Sequence, residues 1–200
     1  AHGKLRFIEM INGASGSERK FDMARLVTAW MYVMRGYPML FQGDEIADVR
    51  GWNHNLDVQE HLLQYEPHAK FHKFVRDLGA LHEKEKAFSR QDQAALRFLN
   101  LDNTNKVLAL ARFADSPNHE LVVVMNFGDQ SFGEYRIPSP GPGSWEIAFN
   151  SDSNEYGGAN TANVSVNSSE KQRMPDSPYT VTIKNLPART FLILKRKSVR

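Results

Sequence analysis

Apolar residues follow two different rhythms along the chain, and the change between them falls near residue 88. In the first part, "FDMARLVTAWMYVMRG" repeats apolar positions at helical spacing, which predicts a helix over 18–36. Ser17 stands as its cap and Glu18 in its first turn, while Gly36 and Pro38 supply the stop. Phe21, Ala24, Leu26, Val27, Trp30, Met31, Val33 and Met34 cover most of its circumference, so the helix requires neighbours on more than one side. "PMLF" follows, short, apolar and bounded by turn residues, as a strand buried on both faces reads. A second helix is expected over 67–86, opened by Pro67 and carrying Phe71, Phe74, Val75, Leu78 and Leu81 on one stripe.

Beyond Phe88 the period shortens to that of strands. "AALRFLNL" and "KVLALARF" flank the turn "DNTN", and "ELVVVMNF", "EYRI", "SWEIAF", "YTVTI" and "TFLILK" follow between loops rich in Gly, Pro, Asn, Asp and Ser. Short strands at this spacing predict a β-sandwich, and the boundary is set at residues 88 to 92. The fold class expected is α+β in two parts, an α/β segment over 1–88 and an antiparallel all-β domain over 89–200. The helix apolar on most sides and the strand without partners lead to a further expectation. Residues 1–86 should be poorly protected alone, whereas 92–196 should fold by themselves.

Composition narrows the function classes. Apolar residues make up 41% of the 200 and charged residues 24%, the balance of a globular protein. A net charge of +2, with basic residues clustered only in "LKRKSVR", gives no footprint for nucleic acid. With no cysteine, disulfides and thiolate metal sites are excluded, and a reducing compartment is favoured. The sequence has no apolar run of the roughly 20 residues that a membrane helix needs. A soluble protein without membrane or nucleic-acid partners is expected, cytoplasmic, or of the plastid if the chain comes from a plant. The opening "AHGK" carries no turn or cap to begin a domain, so the chain reads as the end of something longer.

Chemistry is concentrated in "PMLFQGDEIADVRGWNHNLD", where an apolar run ends in Gly-Asp-Glu and a Trp stands among Asn, His and Asp. A buried strand delivers side chains to the mouth of a site in this way. Glu45 can line that mouth or hold the loop by hydrogen bonds, and Asp44 fits a turn or cap. Trp52 offers either a stacking face for a ligand or packing, and Asn53, His54 and Asp57 either order the loop or touch a ligand. His68 and His72, at i and i+4, could share a metal, yet no third ligand is evident. The sequons at Asn163 and Asn167 carry no meaning in a cytoplasmic protein, and Trp145 and Tyr156 read as packing rather than ligand-binding residues.

The order "HGK", a long helix, "PMLFQGDEIADVRGWNHNLD", "HLL", "VRDLGALH", "VVVMNF", "YRI", "FNSDSNEYGGAN" and "PYTVTIKNLPARTFLIL" resembles the C-terminal part of glycogen branching enzymes, in the α-amylase superfamily. The resemblance implies that 18–36 is the seventh helix of a (β/α)8 TIM barrel, "PMLF" the eighth strand and 67–86 the eighth helix, with a C-terminal β-sandwich after them. It also implies an α-1,4-glucan substrate such as glycogen, starch or amylose, transfer to a 6-hydroxyl with retention, and no cofactor. The reacting carboxylates of that family stand after the fourth and fifth strands. A third acidic residue belongs to a His-Asp-Glu motif just ahead of the "HGK" matched by His2, Gly3 and Lys4. All would precede Ala1, so the missing N-terminal part of the barrel is an expected partner and the chain alone is expected to be inactive. A (β/α)8 barrel takes about 250 residues, far more than stand before the sandwich.

The resemblance thus assigns no catalytic residue here and implies one wall of the site, formed by Glu45, Trp52, Asn53, His54 and Asp57 with His2 and Lys4 beside it. Two positions depart from the family: it usually carries Asp at Asn55 and an aromatic at Val58. Its strand-eight motif more often reads Gly-Asn-Glu-Phe than "GDEI". An amylase-type hydrolase is the rival reading, motivated by "QGDEI". A rival of another class is a non-catalytic glucan-binding or scaffold module formed by 90–200 alone.

Overall fold

The structure, a computed structural model, describes residues 6–12, 20–116, 119–159, 165–166 and 177–197. Helix α1 spans Phe7–Asn12, α2 Lys20–Val33, α3 Glu66–Lys84 and the short α4 Lys86–Ser89. Among the described residues eight strands follow: β1 Leu96–Asp102, β2 Val107–Arg112, β3 Leu121–Asn126, β4 Phe132–Pro138, β5 Trp145–Asn150, β6 Ser165–Val166, β7 Thr180–Leu186 and β8 Thr190–Arg196. Helix α3 opens with Pro67 in its first turn, where the missing N–H has no partner to lose. Beyond α2, Gly36 takes a φ of 116° and its N–H donates to Gln91 Oε1 at 2.7 Å. The proposed cap, Ser17 with Glu18, lies outside the described residues.

The strands build two antiparallel sheets, one ordered β1-β2-β3-β8-β5 and the other β4-β7-β6. Their alternation sorts side chains between two cores. Val107, Ala109, Val122, Val124, Leu192 and Leu194 face the smaller sheet and meet Tyr135, Ile137, Val181, Ile183 and Leu186. On the opposite face, Leu110, Leu121, Val123, Met125, Phe149, Phe191 and Ile193 pack against Ala24, Leu26, Ala29, Phe71, Phe74 and Leu78 from α2 and α3. The larger sheet is therefore the middle of three layers, which is why every residue of β3 is buried. An apolar run without alternation is the signature of such two-sided burial.

This shared core bears on the expectation that 92–196 folds by itself. Without the helices, one face of the central sheet would present Val123, Met125, Phe149, Phe191 and Ile193 to water. The strand expected at "PMLF" also differs, since 38–41 forms no strand among the described residues. Leu40 packs on the helical core, but Met39 is 82% exposed and Phe41 half-exposed. A strand is defined by hydrogen bonds to a neighbour, and no described segment lies alongside to supply them. Strand β6 has no counterpart in the sequence reading, being only two residues long.

Candidate functional site

The loop from Gly43 to Gln59 leaves the end of the "PMLF" segment and returns to α3. Gly43 begins it with a φ of 90°, and Asp44–Ile46 forms one turn of 3-10 helix closed by Ala47 in the left-handed region. No side chain fits at the first position: a Cβ on Gly43 would stand 2.9 Å from Asp48 Cβ and 3.1 Å from Arg6 Nη2. The two acidic residues after it both act on the turn. Asp44 Oδ2 accepts the Phe41 N–H at 3.1 Å, and Glu45 Oε2 accepts the Gly43 N–H at 3.0 Å. Burial pushes the Asp44 carboxyl above its ordinary range, against the opposing pull of the Phe41 N–H and the Arg6 guanidinium.

The tip holds the polar and aromatic side chains. Trp52 sits edge-on to Phe41 at 5.8 Å between ring centres, and tilted against His54 at 6.1 Å. Asn53 Oδ1 accepts the Asn55 N–H at 3.0 Å, while the Arg50 guanidinium donates to the Asp57 carbonyl. Trp52 and Asn53 are partly exposed, and His54 and Asp57 are exposed. The structure thus gathers Trp52, Asn53 and Asp57 with Arg6, Gln42 and Leu56 around one shallow recess. Glu45 lies at the base of the loop, and His2 and Lys4 lie outside the described residues.

Residues that the sequence reading passed over organise this loop. Asp48 is 1% exposed, and its carboxylate accepts the Arg50 N–H at 2.8 Å through Oδ1 and the Gln59 N–H at 3.2 Å through Oδ2. Arg6, also buried, stands 3.6 Å from Asp48 and 3.8 Å from Asp44 and donates through Nε to the Arg50 carbonyl at 2.9 Å. The only signal for this in the sequence is a third acidic residue after "GDE", in "GDEIAD".

Other candidates fall elsewhere. His68 Nδ1 donates to the Ile46 carbonyl at 2.8 Å and its ring meets Phe21 edge-on, which ties α3 to the turn. Among the described residues, no three His, Asp or Glu side chains converge as a metal site would require. Trp145 is buried beneath the Arg196 guanidinium, 4.7 Å from its ring centre, and Tyr156 is buried against Phe149. Asn163 and Asn167 lie outside the described residues. Among the described residues, no helix is long and apolar enough to cross a membrane.

A family model described as "Alpha amylase, C-terminal all-beta domain" matches residues 98–197. The 1,4-alpha-glucan branching enzyme GlgB of Synechococcus elongatus is 34% identical over 200 residues, covering 98% of this chain and 26% of that protein. GlgB of Thermosynechococcus vestitus is 34% identical over 197 residues, 97% of this chain and 25% of its own length. The chain thus spans about a quarter of the length of these relatives. Among solved structures, a debranching enzyme from Nostoc punctiforme superposes with a TM-score of 0.62 at 16% identity, covering 98% of this chain and 34% of that one. A pullulanase from Anoxybacillus sp. LM18-11 gives 0.56, also at 16% identity, over 93% of this chain and 25% of that one. At this identity the two structures speak to fold alone.

Proposed function

Because the chain belongs to the family of alpha-amylase C-terminal all-beta domains, we propose that it forms the C-terminal part of a 1,4-α-glucan branching enzyme. The observation that carries this reading is identity of 34% over 98% of the chain, through the helical layer and the loop as well as the β domain. A match to the β domain alone would speak for the superfamily rather than for one reaction, since folds are shared across activities.

In this reading 1–88 is the last part of a (β/α)8 barrel and 89–200 the domain that follows it. Tyr37 at 91% exposure and Met39 at 82% fit a segment covered by other strands in a longer protein. The loop over 43–58 is one wall of the glucan cleft. Trp52 presents a ring edge and face to a sugar, and Asn53, His54 and Asp57 offer hydrogen-bonding groups to hydroxyls. Glu45 holds the turn from which they project.

The reaction follows retaining chemistry. A carboxylate attacks the anomeric carbon of an α-1,4 bond while a carboxylic acid protonates the departing 4-oxygen, leaving a glycosyl ester. A 6-hydroxyl of another glucan then attacks that carbon, displacing the carboxylate and giving its proton to the second carboxylate. No residue of this chain is assigned to either role; both belong to the rest of the enzyme, and the 200-residue chain alone is inactive. What this wall contributes is seating the acceptor so that a sugar hydroxyl enters in place of water.

The test is made on the full-length enzyme acting on amylose, followed by loss of iodine colour. Trp52→Ala should raise KM roughly ten-fold, a loss of uniform binding. Unchanged KM and rate in both Trp52→Ala and Glu45→Gln would remove the loop from the cleft. Iodine colour lost by the isolated chain would contradict its inactivity.

A further inference from the structure

The loop proposed as a glucan wall has its polar tip in solvent, and both of its ends meet at one buried carboxylate. Asp48 Oδ1 receives the N–H of Arg50, where the loop departs, and Oδ2 receives the N–H of Gln59, where it returns. Trp52, Asn53, His54 and Asp57 all lie between those two bonds. The Asp48 N–H closes the turn below by donating to the Gly43 carbonyl at 2.9 Å. Arg6 completes the arrangement from α1's side. It faces the Asp48 carboxylate, donates to the Arg50 carbonyl, and lays its guanidinium over Phe41 at 5.6 Å, the ring against which Trp52 rests.

A buried charge pair of this kind is weak evidence for stability, because desolvation offsets most of the attraction and apolar residues of similar volume do as well. What such a pair adds is direction. Three acceptor and donor geometries are satisfied only when departing and returning strands of the loop hold one spacing, and a site supported by fixed neighbours keeps its groups within fractions of an ångström.

We infer that Asp48, with Arg6, is the positioning residue of this loop, setting the place of Trp52 and its polar neighbours for glucan recognition. It touches no substrate itself; removing its charge lets the loop widen and weakens glucan binding while the chemical step proceeds. The inference rests on the proposed role of 43–58 as a glucan wall.

The experiment compares Asp48→Asn, Asp48→Ala and Arg6→Lys with Trp52→Ala in the full-length enzyme, measuring KM for amylose, kcat and thermal stability. Asp102→Asn, at the end of β1, serves as a variant that loses hydrogen bonds without touching the loop. The Asp48 and Arg6 variants should raise KM roughly ten-fold with kcat nearly unchanged, as lost ground-state binding does, and Asp102→Asn should leave KM alone. Asp48→Ala can fail to fold, in which case Asp48→Asn and Arg6→Lys decide. If these fold and keep the original KM while Trp52→Ala raises it, the wall stands and the positioning role falls. A loss of fold in Asp48→Asn, or a fall in kcat at constant KM, also overturns the proposal. If Trp52→Ala and Glu45→Gln change nothing, the wall reading fails separately.

Discussion

The phenol of Tyr156 donates to Asp77 Oδ2 at 3.2 Å, joining the loop after β5 to helix α3. The same ring stacks on Phe149 at 5.1 Å and meets Phe74 edge-on, while the Tyr156 carbonyl accepts Arg25 Nη1 from α2 at 2.7 Å. One residue thus bonds to two helices and packs on the central sheet. Tyr156→Phe should cost about 1 kcal/mol, the net value of one hydrogen bond, and Tyr156→Ala about 3 to 5 kcal/mol. Urea denaturation of the two variants measures the difference.

Arg112 on β2 is fully buried and donates to the carbonyls of Ala87, Phe88 and Arg90 at 2.8 to 3.2 Å, at the passage from helices to strands. Its removal takes this donor from the Ala87 and Arg90 carbonyls, while Phe88 keeps the Gln91 amide at 2.8 Å. Arg112→Ala should lose about 3 kcal/mol. Arg112→Lys, which keeps a cation but not the planar fork, should recover only part of this. A lysine variant as stable as the original would contradict the role given to the fork.

The Asp102 carboxylate, held by the Asn105 backbone N–H, the Tyr135 phenol and the Asn105 amide, has its pKa drawn down to about 2. A depressed carboxylate pKa stabilises the fold above the unfolded value of about 3.9, and that contribution fades as pH falls through the folded value. Asp102→Asn should therefore be less stable at neutral pH, with the gap to the original protein closing between about pH 4 and 2. Denaturation midpoints of both proteins across this range provide the check. A gap constant with pH would show that the charge does not matter.

Because Val123, Met125, Phe149, Phe191 and Ile193 are covered by α2 and α3, a segment reduced to 89–200 should bind a hydrophobic dye and associate. Each large apolar side chain left in water forfeits about 1.5 to 3 kcal/mol relative to burial, and five approach a domain's whole stability. A monomeric, cooperatively melting 89–200 would contradict this.

The helices were legible because their apolar spacing and their Pro and Gly punctuation are local properties; α2 runs within the expected 18–36 and stops at Val33, and α3, Glu66–Lys84, lies where 67–86 is expected. Seven of the eight strands among the described residues were legible on the same grounds. The unbroken "LVVVM" of β3 also held the sign of a central sheet, although what covers each face depends on residues remote in sequence. At the loop, Trp52 and its neighbours stand out by residue type. Asp48 does not, since a carboxylate reads alike whether exposed or buried, and its partner Arg6 comes from the far side of two helices. "PMLF" marks the converse case, because apolar character shows that a segment wants cover while strand formation depends on who lies beside it.

Transfer and hydrolysis are separated by the linkage that the full-length enzyme makes from linear amylose, read by proton NMR of the anomeric region and by chain lengths after debranching. A branching enzyme should give new α-1,6 signals growing as α-1,4 signals fall by the same number, with reducing ends constant, since each transfer replaces one bond by another. Reducing ends that rise as the chains shorten, with no α-1,6 signal, would identify hydrolysis and contradict transfer.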